Sequence, residues 1–170
     1  MQMDVTIVPL HSVRSRINEL AELLIRVVED GASVGFMPPL SAEEATRYWE
    51  GVPGPDVVLY AALAGGRVAG SVQLHVCTKP NGSHRAEIAK LMTHPDYRRH
   101  GIGRRLMLQA EAKAAELGRT LLVLDTREGD PSNRLYSSIG YTRAGRIPGY
   151  ARSADGELHA TVYYYKNLGE

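Results

Sequence analysis

The chain has 170 residues, 44% of them apolar and 23% charged, with 20 basic against 19 acidic side chains and a net charge of +1. That length suits one domain with a proper core, and the even charge balance argues against a nucleic-acid-binding protein. No run approaches the ~18–20 apolar residues of a membrane span, and Met1-Gln2-Met3-Asp4 lacks signal-peptide character. With Cys77 as the single cysteine, no intrachain disulfide can form, and a reducing, cytoplasmic setting is expected.

In chain order, residues 5–9 read as a short strand. Residues 15–30 carry Ile17, Leu20, Leu23, Leu24, Val27 and Val28 at helical intervals, an amphipathic helix broken by the glycine-rich segment 31–39. Ser41 followed by Glu44 is a capping box and opens a second helix running through Trp49. Three strands are expected at 57–63, 67–77 and 85–92, joined by turns at Gly65-Gly66 and Pro80-Asn81-Gly82. A helix follows at 103–117, closed by Gly118, then a buried strand at 121–125. Residues 130–139 make the last helix, with Pro131 at its start and Gly140 at its end, and 141–147 pairs with 158–166 as a closing hairpin. No repeat, low-complexity tract or linker interrupts this order, so residues 1–170 are read as a single α/β domain with about seven strands and about four helices.

The most informative stretch is Leu91-Met92-Thr93-His94-Pro95-Asp96-Tyr97-Arg98-Arg99-His100-Gly101-Ile102-Gly103-Arg104. An apolar strand enters a proline turn, then a basic loop with two glycines, then a helix. Amides at a helix start lack intrahelical partners and sit at the electropositive end of the dipole, while glycines allow close approach of a phosphate. This is a device for holding a diphosphate. It is not a Walker loop, since no Gly-Lys-Ser or Gly-Lys-Thr occurs, nor a dinucleotide fingerprint, since Gly101-Ile102-Gly103 lacks its third glycine. The six histidines have no paired spacing of zinc-ligand type, so no metal is expected.

The pattern Arg98-x-x-Gly101-x-Gly103 after a strand ending Leu91-x-Thr93-x-Pro95 resembles the acetyl-CoA pyrophosphate loop of the GCN5-related N-acetyltransferases (the GNAT superfamily), and the order of elements is theirs over nearly the whole chain. The resemblance implies a mixed, mostly antiparallel central sheet with helices on its faces and acetyl-CoA as cosubstrate. It assigns cofactor contacts to Leu91, Met92, Thr93, Arg98, Arg99, His100, Gly101, Ile102, Gly103 and Arg104. Many members carry an Asn seven residues before a helix Tyr to contact the pantetheine arm. Gly129 stands there in this chain, and Asn133 is the nearest substitute.

A narrower likeness lies in the segments 31–37, 79–82, 85–87, 124–126, 148–150 and 155–159, which are similar to the tabtoxin-resistance acetyltransferases. Those enzymes acetylate an amine of a small amino-acid toxin, and their catalytic positions match Glu87, Asp125 and Tyr136. Each has another explanation: an ion pair of Glu87 with Arg85 or Lys90, a cap for Asp125, core packing for Tyr136. The chemistry asks for such groups, because an amine is mostly protonated near pH 7 and a departing thiolate benefits from an acid. The acceptor pocket is expected between residues 31–39, the second helix and a turn at 148–152, with Phe36, Trp49 and Tyr150 as its large side chains. Glu29 and Asp30 near that loop could attract a cation or could be solvated helix-end charges. Cys77 has no His or acid in a recognisable relation, which favours direct attack over an acyl-cysteine route. The expected partners are a small-molecule amine, with no nucleic acid and no membrane, and a homodimer is left open. A non-catalytic acetyl-CoA-binding module and a protein acetyltransferase remain the alternatives.

Overall fold

The computed structural model describes residues 3–169. Its elements are β1 (Val5–Pro9), α1 (Ile17–Glu29), α2 (Ala42–Glu50), β2 (Val57–Ala64), β3 (Arg67–Val76), β4 (Arg85–Thr93), α3 (Ile102–Glu116), β5 (Leu121–Arg127), α4 (Ser132–Ser138), β6 (Thr142–Arg152) and β7 (Leu158–Asn167). The strands form one sheet in the order β1-β2-β3-β4-β5-β7-β6, antiparallel throughout except for β4 beside β5. The expected mixed, mostly antiparallel seven-stranded sheet with four helices is what forms.

The apolar spacing of α1 buries Leu20, Leu23, Leu24, Val27 and Val28 along one face, against Leu59, Val68 and Met92 of the sheet. α2 joins this layer through Ala45 and Trp49, and its start is capped as expected, Ser41 Oγ accepting the Glu44 N–H at 3.1 Å. On the opposite face Ile102, Leu106, Met107 and Ala110 of α3 pack with Val72, Leu74, Leu122 and Leu124. Gly70 of β3 lies under α3, where a Cβ would come within 2.7 Å of Met92 O and 3.0 Å of Ile102.

One irregularity positions the site. The β3–β4 register jumps from Gln73↔Ala89 to Ser71↔Met92, so β4 carries one extra residue, and Lys90 takes a left-handed φ of 55°. The bulge switches the face on which alternate residues emerge: Ile88 packs in the α3 core and Met92 in the α1 core. It also bends β4 away from β5, which pairs with it only over Arg85–Glu87 opposite Leu121–Val123. Beyond Glu87 the two strands part.

Most boundaries shift by a residue or two from the sequence reading, and three of the differences have a visible cause. α3 begins at Ile102, one residue before Gly103, because Gly101 takes the left-handed turn (φ 71°) that leads into it. α4 is shorter than 130–139, since Asp130 bonds Arg127 instead of capping the helix. The expected turn at 148–152 is the continuation of β6, two extra residues being absorbed where the register steps from Ile147↔Thr161 to Ala151↔His159. No helix among the described residues is long and apolar enough to cross a membrane.

Candidate active site

A cavity of about 950 Å³ occupies the gap where β4 and β5 diverge. Residues 87–93 and 125–127 form its walls, residues 30–35 and the 98–104 loop its two ends, and Tyr136, Tyr150 and His159 reach it from α4 and the β6–β7 hairpin.

At the loop end, Arg99 and Gly101 adopt φ 67° and 71°, which wraps the chain so that the start of α3 faces the cavity. No side chain caps α3, which leaves the first-turn N–H groups for a ligand, at the positive end of the helix dipole. A Cβ on Gly103 would lie 3.4 Å from Leu135 and 3.9 Å from Leu91 and Thr93, so this glycine keeps a narrow strip of wall open. These features suit a diphosphate and the arm attached to it. Leu91, Met92, Thr93, Arg98, Arg99, Gly101, Ile102, Gly103 and Arg104 line the cavity; His100 does not. Arg98 is ion-paired with Asp30 at the end of α1, and Arg26 with Asp96 at 3.1 Å, which tie that helix to the loop. Asn133 stands apart from the cavity lining. Its Nδ2 donates to the Arg127 and Asp130 carbonyls, both at 2.9 Å, and its Oδ1 accepts from Tyr164 at 2.7 Å, so its side chain braces α4.

The three chemistry-bearing residues converge in the middle. Glu87 is exposed to the cavity. The ion pair with Arg85 or Lys90 does not form, since Lys90 Nζ donates to the Val34 carbonyl at 2.6 Å and Arg85 to Cys77 Sγ at 3.5 Å. Asp125, also exposed, accepts from Thr161 Oγ1 at 2.7 Å, which orients the carboxylate and leaves its other oxygen available. Tyr136 is 5% exposed, its ring 5.9 Å from Tyr141 and 5.8 Å from Tyr164. Burial, then Asp125 and Asp130, raises its phenol above the ordinary 10. A Thr126–Ser132 hydroxyl bond of 2.6 Å joins β5 to α4 and sets Tyr136 relative to Asp125.

At the far end, loop 31–39 is held down by two cations. Lys90 grips Val34, and Arg127 donates to the Gly31 carbonyl at 2.9 Å while also bonding Asp130 and Ser153, each at 3.0 Å. Of the large side chains expected here, Tyr150 lines the cavity, its hydroxyl 3.2 Å from that of Tyr163. That bond comes first, and burial second, in pushing Tyr163 up to about 12. Phe36 and Trp49 are placed elsewhere. Phe36 stacks edge-on with Tyr48 at 5.2 Å and anchors the loop to α2, and Trp49 is 0% exposed in the α1–α2 core. The aromatic character of α2 serves packing.

Sequence reasoning missed Lys90, Arg127, His159 and Thr161 as part of this site. Strand alternation could have found Arg127, which leaves β5 on the same side as Asp125. Nothing local marks Lys90, whose direction depends on the bulge.

A family model described as the acetyltransferase (GNAT) family matches residues 20–141. An uncharacterized N-acetyltransferase of the hisH–hisA intergenic region of Azospirillum brasilense is 31% identical over 129 residues, 74% of this chain and 77% of that protein. The fold superposes on a candidate phosphinothricin N-acetyltransferase with a TM-score of 0.81 at 20% identity, over 98% of this chain and all (100%) of that one. It also superposes on yncA of Salmonella typhimurium with its cofactor acetyl-CoA, with a TM-score of 0.80 at 17% identity, over 98% and 95% of the two chains. A parted β4–β5 pair, an uncapped helix start behind a basic glycine loop and the match over residues 20–141 lead to one conclusion: the chain belongs to the GNAT family of N-acetyltransferases, an acyltransferase with acetyl-CoA as its cosubstrate.

Proposed function

We propose that the chain acetylates an amine of a small molecule, an antibiotic or amino-acid-like toxin, by direct attack within a ternary complex. The observation that carries this reading is the pinning of the loop at one end, where Lys90 bonds the Val34 carbonyl and Arg127 the Gly31 carbonyl, so that residues 31–35 bound the cavity that Glu87, Asp125 and Tyr136 share. A protein chain would call for an extended open groove at that end. The likeness of the segments around 31–37 and 155–159 to the tabtoxin-resistance enzymes, and the name of the phosphinothricin neighbour, support the same substrate class.

Acetyl-CoA, when bound, supplies the acetyl group as a thioester already activated toward amines. The α3 amides with Arg99 and Arg104 hold its diphosphate. Glu87 removes the proton of the acceptor ammonium through a water, helped by Asp125. The β4 edge past Glu87 has no strand partner and offers N–H donors where negative charge develops on the carbonyl oxygen. Tyr136, kept protonated by its raised pKa, donates to the departing sulfur. Cys77 lies outside the cavity lining, in keeping with direct attack.

The test is a panel of amine-bearing antibiotics and amino-acid toxins assayed for thiol release from acetyl-CoA. Turnover of at least one such amine is expected. Turnover confined to peptide N-termini would overturn the small-molecule reading.

A further inference from the structure

Three polar side chains not used by this chemistry run in a line beneath α2. Gln73, 2% exposed on β3, donates from Nε2 to the Tyr48 hydroxyl at 2.9 Å, and its Oε1 lies 2.9 Å from His75 Nε2. A buried amide is costly unless both of its ends are bonded. Here both are, and the consequence is a fixed imidazole that carries its proton on Nε2 when neutral. His75 stands directly opposite Glu87 in the β3–β4 register, so the two side chains leave the same face with Cβ atoms about 5 Å apart. Nδ1 of His75 has no hydrogen-bond partner among the described residues and is not sealed from solvent. The exposed Glu87 carboxylate lines the cavity, and His75 stands behind it as its cross-strand neighbour, outside the cavity lining itself. The groups that face the imidazole are Glu87 and Lys90 from β4 and, through Gln73, Tyr48 from α2; β2 presents the uncharged Val57. Burial lowers the imidazole pKa most, Glu87 raises it and Lys90 lowers it, with a net shift below the ordinary 6.5.

We propose that His75 is a positioning residue for the base: its Nδ1 and the Glu87 carboxylate together hold the water through which the acceptor ammonium loses its proton. The proposal rests on Glu87 acting as described above. A water that donates one O–H to each of these acceptors turns its lone pair toward the ammonium. The ammonium N–H bond breaks, the water oxygen takes that proton, and one of the water's own passes to Glu87, which becomes the neutral acid. His75 keeps its proton count. Protonation of Nδ1 makes it a donor and turns the water round.

The first measurement needs no acceptor. Ring nitrogens of the ¹⁵N-histidine-labelled enzyme, followed by NMR, should show His75 as the Nε2–H tautomer at pH 7.5, with a midpoint below 6.5 that falls further in Glu87→Gln, where the raising influence of the carboxylate is gone. An Nδ1–H tautomer, or a midpoint indifferent to Glu87→Gln, overturns the proposal. The second is kinetic, with phosphinothricin as the first probe acceptor. His75→Ala should lower kcat/KM about tenfold at pH 7 with acetyl-CoA affinity unchanged, and His75→Asn, which can accept through Oδ1, should recover part of the loss. In the Glu87→Gln background the His75 effect should vanish. A slow Glu87→Gln beside an unaltered His75→Ala pH profile removes this proposal alone; a fully active Glu87→Gln removes the base assignment and this proposal with it.

Discussion

The end of the cavity proposed for the cofactor comes from one continuous stretch, residues 91–104, and its features are backbone ones: a left-handed Gly101, an open Gly103 and an uncapped helix start. The end proposed for the acceptor is gathered from β4, β5, loop 31–39, α4 and the β6–β7 hairpin, and its features are side chains whose directions those elements set. A backbone device tolerates changes of side chain and fails when its shape is filled. A side-chain device keeps its shape and fails when one functional atom is removed. Variants at the first end should therefore lose affinity for acetyl-CoA, and variants at the second should lose rate or acceptor affinity with acetyl-CoA binding intact.

The largest effect on acetyl-CoA affinity is expected at Gly103. Gly103→Asp puts a carboxylate into the strip beside Leu135 and Thr93, where the proposed reading brings the diphosphate. Like charges so placed repel by several kcal/mol, which amounts to about a hundredfold or more in the dissociation constant. Calorimetric titration with acetyl-CoA reads this, and the variant should melt near the wild-type temperature. The wild type should gain ~2.7 kcal/mol of stability at a hundredfold excess of ligand over its dissociation constant. Tight binding by Gly103→Asp would mean that the diphosphate lies elsewhere.

Glu87→Gln keeps size and hydrogen bonding but cannot take a proton. Its rate at pH 7 should fall ~10²–10⁴-fold with acetyl-CoA affinity unchanged, and raising the pH should restore part of it by deprotonating the amine in solution. Asp125→Asn should show a weaker form of the same behaviour. An unaltered pH–rate profile for Glu87→Gln would leave proton removal to Asp125 or to solvent.

Tyr136→Phe should cost ~10–10³-fold in the chemical step, a smaller loss because water can protonate a thiolate slowly. The sign of the pH effect is fixed by the direction of the shift. A phenol raised above 10 stays protonated throughout the neutral range, so loss of Tyr136 as an acid should begin only above pH 10. A wild-type activity decline near pH 8–9 that Tyr136→Phe abolishes would contradict this assignment.

The smallest effect is expected at Lys90. Removing its bond to the Val34 carbonyl in Lys90→Met frees one point of loop 31–39 while Arg127 still holds Gly31. A charged hydrogen bond of this kind contributes about 1.5 kcal/mol, so KM for the acceptor should rise about tenfold. Acetyl-CoA affinity should not move. A drop in acetyl-CoA affinity instead would show that the two ends are coupled through the β4 bulge.

The element order, the two apolar faces and the glycine loop that leads into α3 were legible in the sequence, because each depends on neighbours within a few residues. Helical spacing from Leu20 to Val28, the Ser41 cap and the glycines at 101 and 103 state their structure locally. The acceptor site was legible in part. Glu87, Asp125 and Tyr136 were named by resemblance and share the cavity, whereas Trp49 and Phe36 entered the α1–α2 layer. A large aromatic on an amphipathic helix reads the same whether it packs a core or lines a pocket; only the neighbouring layer decides.

The sequence by itself determined the groups on offer: the sheet and helix pattern, a basic glycine loop before a helix start, two carboxylates and a phenol. Tertiary structure alone decided how these meet. A single inserted residue at Lys90 parts β4 from β5, opens the cavity between Glu87 and Asp125, and aims a lysine at a loop 56 positions away in the chain. The physical reason is that strand register sets which face every later side chain occupies, and register is settled by partner strands distant in sequence.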